Sequence, residues 1–151
     1  MDQAVASAFD TDAFRTRVEE AIASSSPAFG TFFLLRLLGL QVSYTADSCT
    51  VRMPVDGWMH NPHGTLHGGI AATVIDVSMG HLMNHLGIRA VTSDLHVSYH
   101  RPVSGQEVVA TARVTKAGRT IVHATSELRD PEGRICSTAV ATFVRLDGGE
   151  R

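Results

Sequence analysis

The longest apolar stretch of the chain runs from Ile70 to Leu86 and has helical spacing. Its large apolar side chains recur every three or four residues, with alanine, serine, threonine and glycine among the positions between them. Between Asp56 and Arg89, histidines aside, Asp76 is the only acidic or basic residue. The pattern predicts a helix that is apolar on nearly every side, and therefore buried, with one carboxylate in its middle. A lone buried carboxylate is costly unless it is paired or used in chemistry.

Alternating apolar and polar residues predict six strands around this helix. Two short strands precede it, and four longer ones rich in valine, threonine and alanine follow it. Turn residues at 117–119 and 130–133 indicate hairpins, so the last three strands should run antiparallel. Adjacent Ile121 and Val122 place apolar side chains on both faces, which suggests an oligomer. The predicted strands span residues 40–45, 49–54, 90–99, 107–117, 120–130 and 135–146.

The segment before the first strand is predicted to be helical. Phe14, Val18 and Ile22 recur every four residues within 10–24, which is typical of an amphipathic helix. Residues 28–38 are very apolar, and we expect a second helix or a helical turn there. The whole pattern predicts an α+β fold, in which one antiparallel sheet wraps around a single long helix. We divide the chain into an N-terminal helical extension (1–38), the main domain (39–146) and a polar tail (147–151).

Composition narrows the class of protein without adding a function. The 151 residues are 44% hydrophobic, which is enough for one domain with a real core. A formal net charge of -2 gives no electrostatic reason to expect nucleic acid or an anionic membrane as a partner. Two cysteines are too few for a disulfide framework, and no apolar run is long enough to span a bilayer. Because the N-terminus also has no signal-peptide pattern, we expect a cytoplasmic protein.

A polar, glycine-rich loop leads into the central helix and carries a motif. It reads Asn-Pro-His-Gly-Thr-Leu-His-Gly-Gly at residues 61–69, and Asp76 follows His67 by nine residues. The motif resembles that of the hotdog-fold acyl-CoA thioesterases of the phenylacetate-degradation (4-hydroxybenzoyl-CoA thioesterase-like) type. The segment 91–99 is similar to the strand that follows the central helix in that family. The resemblance covers about residues 38–146.

The resemblance implies the hotdog fold and hydrolysis of a thioester between an acyl group and coenzyme A, with no cofactor and no metal. It implies that Asp76 activates water or attacks the thioester. The backbone N–H of Gly68 would donate to the thioester oxygen, where negative charge develops. Asn61 would position water or the carboxylate, and His67 would hold the loop or the thioester. Thr92 would support the attack.

Five further residues are candidates for contact with the substrate. Gly69 has no side chain to block a close approach, and Ser93 competes with its threonine neighbour for the supporting role. The cations Arg101, Lys116 and Arg119 could meet the phosphates of coenzyme A, although a solvated surface is the default explanation for such residues.

The spacing within the central helix predicts how the site is assembled. Gly68 and Asp76 are eight residues apart, or about 12 Å along a helix axis. Attack needs the nucleophile and the carbonyl carbon about 3–3.5 Å apart. If both residues act on one thioester, they must come from different subunits. This predicts an obligate homodimer with two equivalent sites, and the family makes a dimer of dimers plausible.

Several alternatives stay open at this stage. His60, His63 and His67 are spaced like metal ligands but have no cysteine or carboxylate partner nearby in the loop. His81 and His85 could form a ligand pair on the helix, although packing or capping explains them as well. A non-catalytic module that binds acyl-CoA, or a hotdog dehydratase or hydratase, would use the same fold for another function.

Overall fold

The computed structural model describes residues 10–146, which form three helices, a short 3₁₀ helix and six strands. The two N-terminal helices are short, and the third is the long apolar one. All six strands belong to one sheet. In chain order the elements are α1 (Thr11–Ser24), α2 (Phe33–Leu37), β1 (Gln41–Tyr44), β2 (Ser48–Pro54), the 3₁₀ helix (Gly57–Met59), α3 (Gly68–His85), β3 (Ala90–Tyr99), β4 (Glu107–Ala117), β5 (Ile121–Arg129) and β6 (Ile135–Arg145).

The sheet is antiparallel throughout and runs in the order β1-β2-β4-β5-β6-β3. Helix α3 packs against strands from one side of the sheet to the other. The sheet therefore wraps the helix, as the hydrophobic pattern predicts. Strand β3 follows α3 in the chain but lies at one edge of the sheet, beside β6. Strand β1 forms the other edge.

The core is the interface between α3 and the inner face of the sheet. Large side chains of α3 are fully buried there, including Val74, Ile75, Met79 and Leu82. Burial of each such side chain contributes about 1.5–3 kcal/mol, which fixes the helix in the concave face. The sheet supplies alternate buried residues from its central strands, among them Val51, Met53, Val108, Val122, Leu128 and Phe143.

The predicted fold class, the central helix and the two hairpins are confirmed. No strand bound differs from its prediction by more than one residue. The prediction for 28–38 was too long, because α2 is limited to Phe33–Leu37. A closed turn precedes α2, in which the Ser26 N–H donates to the Thr31 carbonyl at 2.9 Å. Pro27 and Gly30 favour that turn over a helix.

Helix α1 begins where a side chain satisfies its first free N–H groups. Asp10 is its N-cap and accepts a hydrogen bond from the Ala13 N–H at 2.9 Å. The predicted division at residue 38 stays a prediction, and the predicted tail, 147–151, lies outside the described residues. Within 10–146 no helix is long and apolar enough to cross a membrane. The cytoplasmic location stays a prediction.

The outer face of the sheet is mixed rather than apolar. Ile121 is 42% exposed and Val140 is 53% exposed, whereas Val108 and Val122 point into the core. Between these exposed apolar residues lie threonines, histidines and charged residues of β4, β5 and β6. The exposed apolar residues are scattered among polar ones, and the oligomer stays a prediction.

Candidate active site

Asp76 lies on the one face of α3 that the chain's own sheet does not cover. It is half-buried, not sunk in the core as the apolar pattern predicts, because its face of α3 opens into a cleft. The Thr92 hydroxyl donates a hydrogen bond to Oδ1 of the carboxylate at 2.9 Å. Among residues 10–146 nothing donates to Oδ2. One oxygen is thus held in place while the other keeps its capacity to accept a proton.

A β-bulge decides which hydroxyl of β3 reaches Asp76. Thr92 pairs with Phe143 of β6, whereas Asp94 pairs with the next residue, Thr142, so Ser93 is an extra residue in the strand. Thr92 is opposite the buried Phe143 and faces α3. The bulged Ser93 makes no hydrogen bond with Asp76. Of the two candidates from the sequence, the structure brings Thr92 to the carboxylate.

The cleft beside Asp76 has a volume of about 510 Å³ and a mainly apolar lining. Helix α3 forms one wall, and the segment before and within α2 forms another. Thr73, Val77 and Gly80 line it because they share a helix face with Asp76. The rest of the lining is Phe29, Phe32, Leu34, Ala72, His81 and Leu95. The size and lining suit an apolar group of a small ligand.

The start of α3 presents one unpaired backbone donor. His67 caps the helix, and its Nδ1 accepts from the Gly69 N–H at 3.0 Å. The N–H groups of Ile70 and Ala71 donate to the His67 carbonyl. Within the described part of the chain, the Gly68 N–H has no partner. It is therefore free to donate to an anionic oxygen at the positive end of the helix.

Asn61 organises the loop that precedes α3. Its Oδ1 accepts from the His63 N–H at 2.9 Å, and its Nδ2 donates to the Thr65 hydroxyl at 3.0 Å. The loop is closed further by the Asn61 N–H bonded to the Thr65 carbonyl, and Gly64 has a positive φ of 74°. In the single chain Asn61 holds the loop, and no contact joins it to Asp76.

The three candidate cations are not brought together within one chain. Arg101 follows the last residue of β3, near the start of α3. Lys116 and Arg119 lie at the β4–β5 hairpin, beside the first residue of β3, where Ala90 pairs with Arg145. The ten residues of β3 separate these two ends by about 30 Å. All three side chains are exposed.

His81 and His85 pack against one tyrosine of strand β1. The Tyr44 hydroxyl is hydrogen-bonded to His81 Nδ1 at 2.8 Å, and the Tyr44 ring stacks on His85 with centroids 4.4 Å apart. His81 is 2% exposed and its Nε2 has no hydrogen-bond partner among residues 10–146. Burial lowers the pKa of His81, and the nearby Phe29 backbone carbonyl acts in the opposite direction.

Other possible chemistry has little support in the described residues. No group of three or more histidine, cysteine or carboxylate side chains within 10–146 is arranged to hold a metal ion. Cys49 and Cys136 are both buried and free, and burial raises the pKa of the Cys49 thiol to about 12. A thiol of this kind is inert as a nucleophile at neutral pH.

Two residues of β3 that contact the site were not singled out from the sequence. Tyr99, at the end of β3, donates from its hydroxyl to the Gly68 carbonyl at 2.7 Å. Leu95 lines the cleft from the middle of the same strand. No local pattern distinguishes either residue from ordinary strand positions, because their role depends on β3 lying beside α3.

Comparison with known proteins places this fold and loop in a defined class. The model of the Thioesterase superfamily matches residues 63–137. Proofreading thioesterase EntH of Klebsiella pneumoniae is 38% identical over 105 residues, which cover 66% of this chain and 77% of that protein. The chain belongs to the thioesterase superfamily.

Two further comparisons agree with this assignment. Acyl-coenzyme A thioesterase 13 of Mus musculus is 33% identical over 90 residues, which cover 58% of this chain and 64% of that relative. The PaaI protein from the phenylacetic acid degradation operon of E. coli superposes with a TM-score of 0.76 at 21% identity, covering 87% of this chain and 97% of that one. The latter likeness shows the fold, and the resemblance to hotdog thioesterases of this type is confirmed.

Proposed function

We propose that this protein is a thioesterase that hydrolyses an acyl-CoA thioester to the free acid and coenzyme A. The observation that carries the proposal is the Asp76 carboxylate at the wall of an apolar cleft. Thr92 donates to one of its oxygens, and the other has no donor within residues 10–146. Membership of the thioesterase superfamily supports the reaction class. The name of the mouse relative, acyl-coenzyme A thioesterase 13, supports coenzyme A as the thiol portion of the substrate.

In the proposed reaction, Asp76 either removes a proton from an attacking water or attacks the thioester carbonyl carbon itself. Charge then develops on the carbonyl oxygen, and the free N–H of Gly68 stabilises it. A backbone donor of this kind is typically worth about 3–4 kcal/mol. Collapse of the intermediate breaks the carbon–sulfur bond, and coenzyme A leaves as its thiolate. If Asp76 took a proton from water, the free acid forms directly and that proton passes to the thiolate. If Asp76 attacked the carbonyl carbon, a mixed anhydride remains, and a water hydrolyses it to the free acid and the Asp76 carboxylate. The apolar cleft would hold the acyl group.

The site is proposed to be shared between two subunits. Asp76 lies eight residues into α3 from Gly68, so the two groups are about 12 Å apart along the helix axis. The strand that contacts both groups, β3, is a sheet edge of ten residues without proline or lysine. Asp94 is the only Asp, Glu, Lys or Arg in this edge, and long edges with so few charges are suited to pairing with another chain.

Antiparallel pairing of two β3 edges about a two-fold axis would assemble such a site. If the axis passes between the two His96 residues, which then pair with each other, the bulge at Ser93 places Thr92 of one subunit opposite Tyr99 of the partner subunit. Because Thr92 holds Asp76 and Tyr99 holds Gly68, this pairing brings the carboxylate of one subunit toward the helix start of the other. Two such dimers would associate in the proposed tetramer.

The same pairing accounts for the separated cations. The first residue of one β3 would lie near the last residue of the other. Arg101 of one subunit would then share an end of the sheet with Lys116 and Arg119 of the partner subunit. We propose that these exposed cations meet the phosphates of coenzyme A, with Gly69 and Ser93 beside the substrate. Asn61 and His67 would keep the loop in the geometry that this contact requires.

A thiol-release assay across a panel of aryl and straight-chain acyl-CoA thioesters tests the activity. We expect turnover of part of the panel, and a loss of about 10²–10⁴-fold in kcat for Asp76→Asn. Asp94→Asn is the matched control, because Asp94 is an exposed carboxylate on the other face of β3. Full activity of Asp76→Asn would remove this residue from the mechanism.

The shared site is tested by mixing two inactive variants. Asp76→Ala and Gly68→Ala homodimers would each be inactive, whereas a mixed dimer would carry one site with both groups intact. We expect up to half of the wild-type activity per mixed dimer. Confirmed heterodimers without any recovery would contradict the sharing of sites.

The same panel separates the alternatives. A non-catalytic acyl-CoA-binding module would bind the thioesters without releasing thiol. A dehydratase or hydratase would add or remove water on an unsaturated or hydroxylated acyl group and leave the thioester intact. Asp76 with an oxygen free to accept a proton favours the hydrolase over the binding module.

A further inference from the structure

Tyr99 joins the last residue of β3 to the first residue of α3. Its hydroxyl donates to the Gly68 carbonyl at 2.7 Å, and its ring lies over the Gly68 Cα. A Cβ added to Gly68 would be 3.3 Å from Tyr99 Cζ. We infer that Tyr99 is a positioning residue that fixes the peptide unit directly after the oxyanion donor, the Gly68 N–H. This inference rests on the proposed function and adds a residue to it.

The need for such a residue follows from two adjacent glycines. Gly68 and Gly69 have more backbone freedom than any other residue type, and they stand in the first turn of a helix, where N–H groups lack intrahelical partners. Without tethers, the Gly68 N–H would sample many directions. An oxyanion donor is effective when its direction is set before the charge develops.

Two side chains hold the peptide unit between these glycines from opposite ends. Tyr99 bonds its carbonyl oxygen, which belongs to Gly68, and His67 Nδ1 bonds its N–H, which belongs to Gly69. The preceding peptide unit carries the Gly68 N–H, and it is held because its carbonyl, that of His67, accepts from the Ile70 and Ala71 N–H groups. With the peptide units on both sides of Gly68 held, its dihedral angles are restricted and its N–H keeps one direction. That N–H is the donor left unpaired in the first turn within the described residues. The side chains thus fix the geometry while leaving the donor free.

The strand that carries Tyr99 gives this contact a second consequence. Because β3 is the edge proposed to pair between subunits, the donor of one subunit is positioned by the strand that brings it to the other subunit's carboxylate. Dimer assembly and the direction of the Gly68 N–H would then both depend on β3. A variant that removes only the Tyr99 hydroxyl can separate the two effects.

The test compares Tyr99→Phe with Ser98→Ala in the full chain. Ser98→Ala removes a hydroxyl from the neighbouring position, on the other side of the strand. The first measurement is the ¹⁵N–¹H spectrum with assigned Gly68 and Gly69 amides, together with the dimer dissociation constant. The second is kcat and KM for an acyl-CoA that wild type hydrolyses.

For Tyr99→Phe we expect displaced Gly68 and Gly69 amide signals and an unchanged dimer. We also expect kcat to fall by about fivefold, the scale of one lost neutral hydrogen bond, with KM within about twofold. A purely structural role would not confine the loss to kcat while the dimer is intact. Ser98→Ala should match wild type in every measurement.

Unmoved glycine amides, or moved amides with wild-type kcat, would overturn the positioning role while leaving the thioesterase proposal intact. If wild type hydrolysed no thioester of the panel, the proposed function would fail and the positioning role would fall with it. The amide spectra distinguish these two failures, because they do not depend on turnover.

Discussion

The two edge strands of the sheet both send hydroxyl groups to the central helix, but to different ends. From β1, Tyr44 bonds His81, an imidazole that is almost fully buried. From β3, Thr92 bonds Asp76 and Tyr99 bonds Gly68, and both of those residues are only half-buried. The contact is the same in kind at both edges. The difference lies in what the bonded group can still do.

At the β1 edge the hydrogen bond closes a packed region. His81 packs against Tyr44, Phe29 and Phe32 at the wall of the cleft, and its Nε2 is buried. At the β3 edge the bonds leave one carboxylate oxygen and one backbone N–H without a partner among residues 10–146. A polar contact on a packed group stabilises the fold, whereas the same contact on a group with free hydrogen-bonding capacity orients it for a ligand.

Gly68→Ala is the strongest test of this difference between the two edges. In Gly68→Ala the new Cβ would be 3.3 Å from the Tyr99 ring, so the ring or the helix start must shift. We expect kcat to fall about 100-fold, because small displacements of a donor are costly to the transition state. Thermal unfolding should change little, since alanine is the better helix residue. Gly30→Ala, which meets nothing within 4 Å, is the control.

Thr92→Val tests the other contact of the β3 edge. Valine keeps the branched shape and the strand position but cannot donate to Asp76. We expect kcat to fall about tenfold, or about 1.4 kcal/mol, because the carboxylate loses the bond that orients it. Thr142→Val, on the outer face of β6, is the matched control. Equal kcat values for the two valine variants would show that the hydrogen bond from Thr92 does not orient Asp76.

Tyr44→Phe should behave in the opposite way at the β1 edge. It leaves Nδ1 of the buried His81 without its partner, and we expect a loss of about 1 kcal/mol in the free energy of unfolding. Because Tyr44 touches neither Asp76 nor Gly68, kcat should remain within about twofold of wild type. Urea unfolding and the thiol-release assay measure the two quantities. A large loss of kcat with unchanged stability would contradict the conclusion that the Tyr44–His81 contact only stabilises the fold.

The sequence was sufficient for the elements because each has its own periodicity or turn chemistry. The helical spacing from Ile70 onward and the turns around Gly118 and Gly133 depend only on neighbours along the chain. The exception, residues 28–38, has an apolar composition that does not distinguish a helix from an apolar loop. There the turn at Pro27 prevailed over the apolar run.

The site was predictable only where a family motif named it. Asp76, Gly68 and His67 stand in the loop and helix of that motif, and the structure shows their local partners. The choice of Thr92 over Ser93 depends on a bulge in the pairing with β6, which no local pattern announces. Tyr99 has the same difficulty, because its contact joins residues 31 positions apart. Contacts between distant segments are set by the fold as a whole.

The smallest expected effect is a pH dependence of the free energy of unfolding, which comes from His81 beside the β1 edge. Burial lowers the pKa of His81 below its usual 6.5, so below that pH the unfolded chain binds a proton that the folded chain does not. The free energy of unfolding should therefore be flat from this source above about pH 7 and fall as the pH drops through the folded pKa. His81→Leu should remove this part of the slope, as measured by urea titrations at about pH 7.5 and about pH 5.5. His85→Leu is the control, because that histidine stacks on the same tyrosine but is exposed. If both leucine variants kept the wild-type slope, the burial of His81 would not be the cause of this pH dependence.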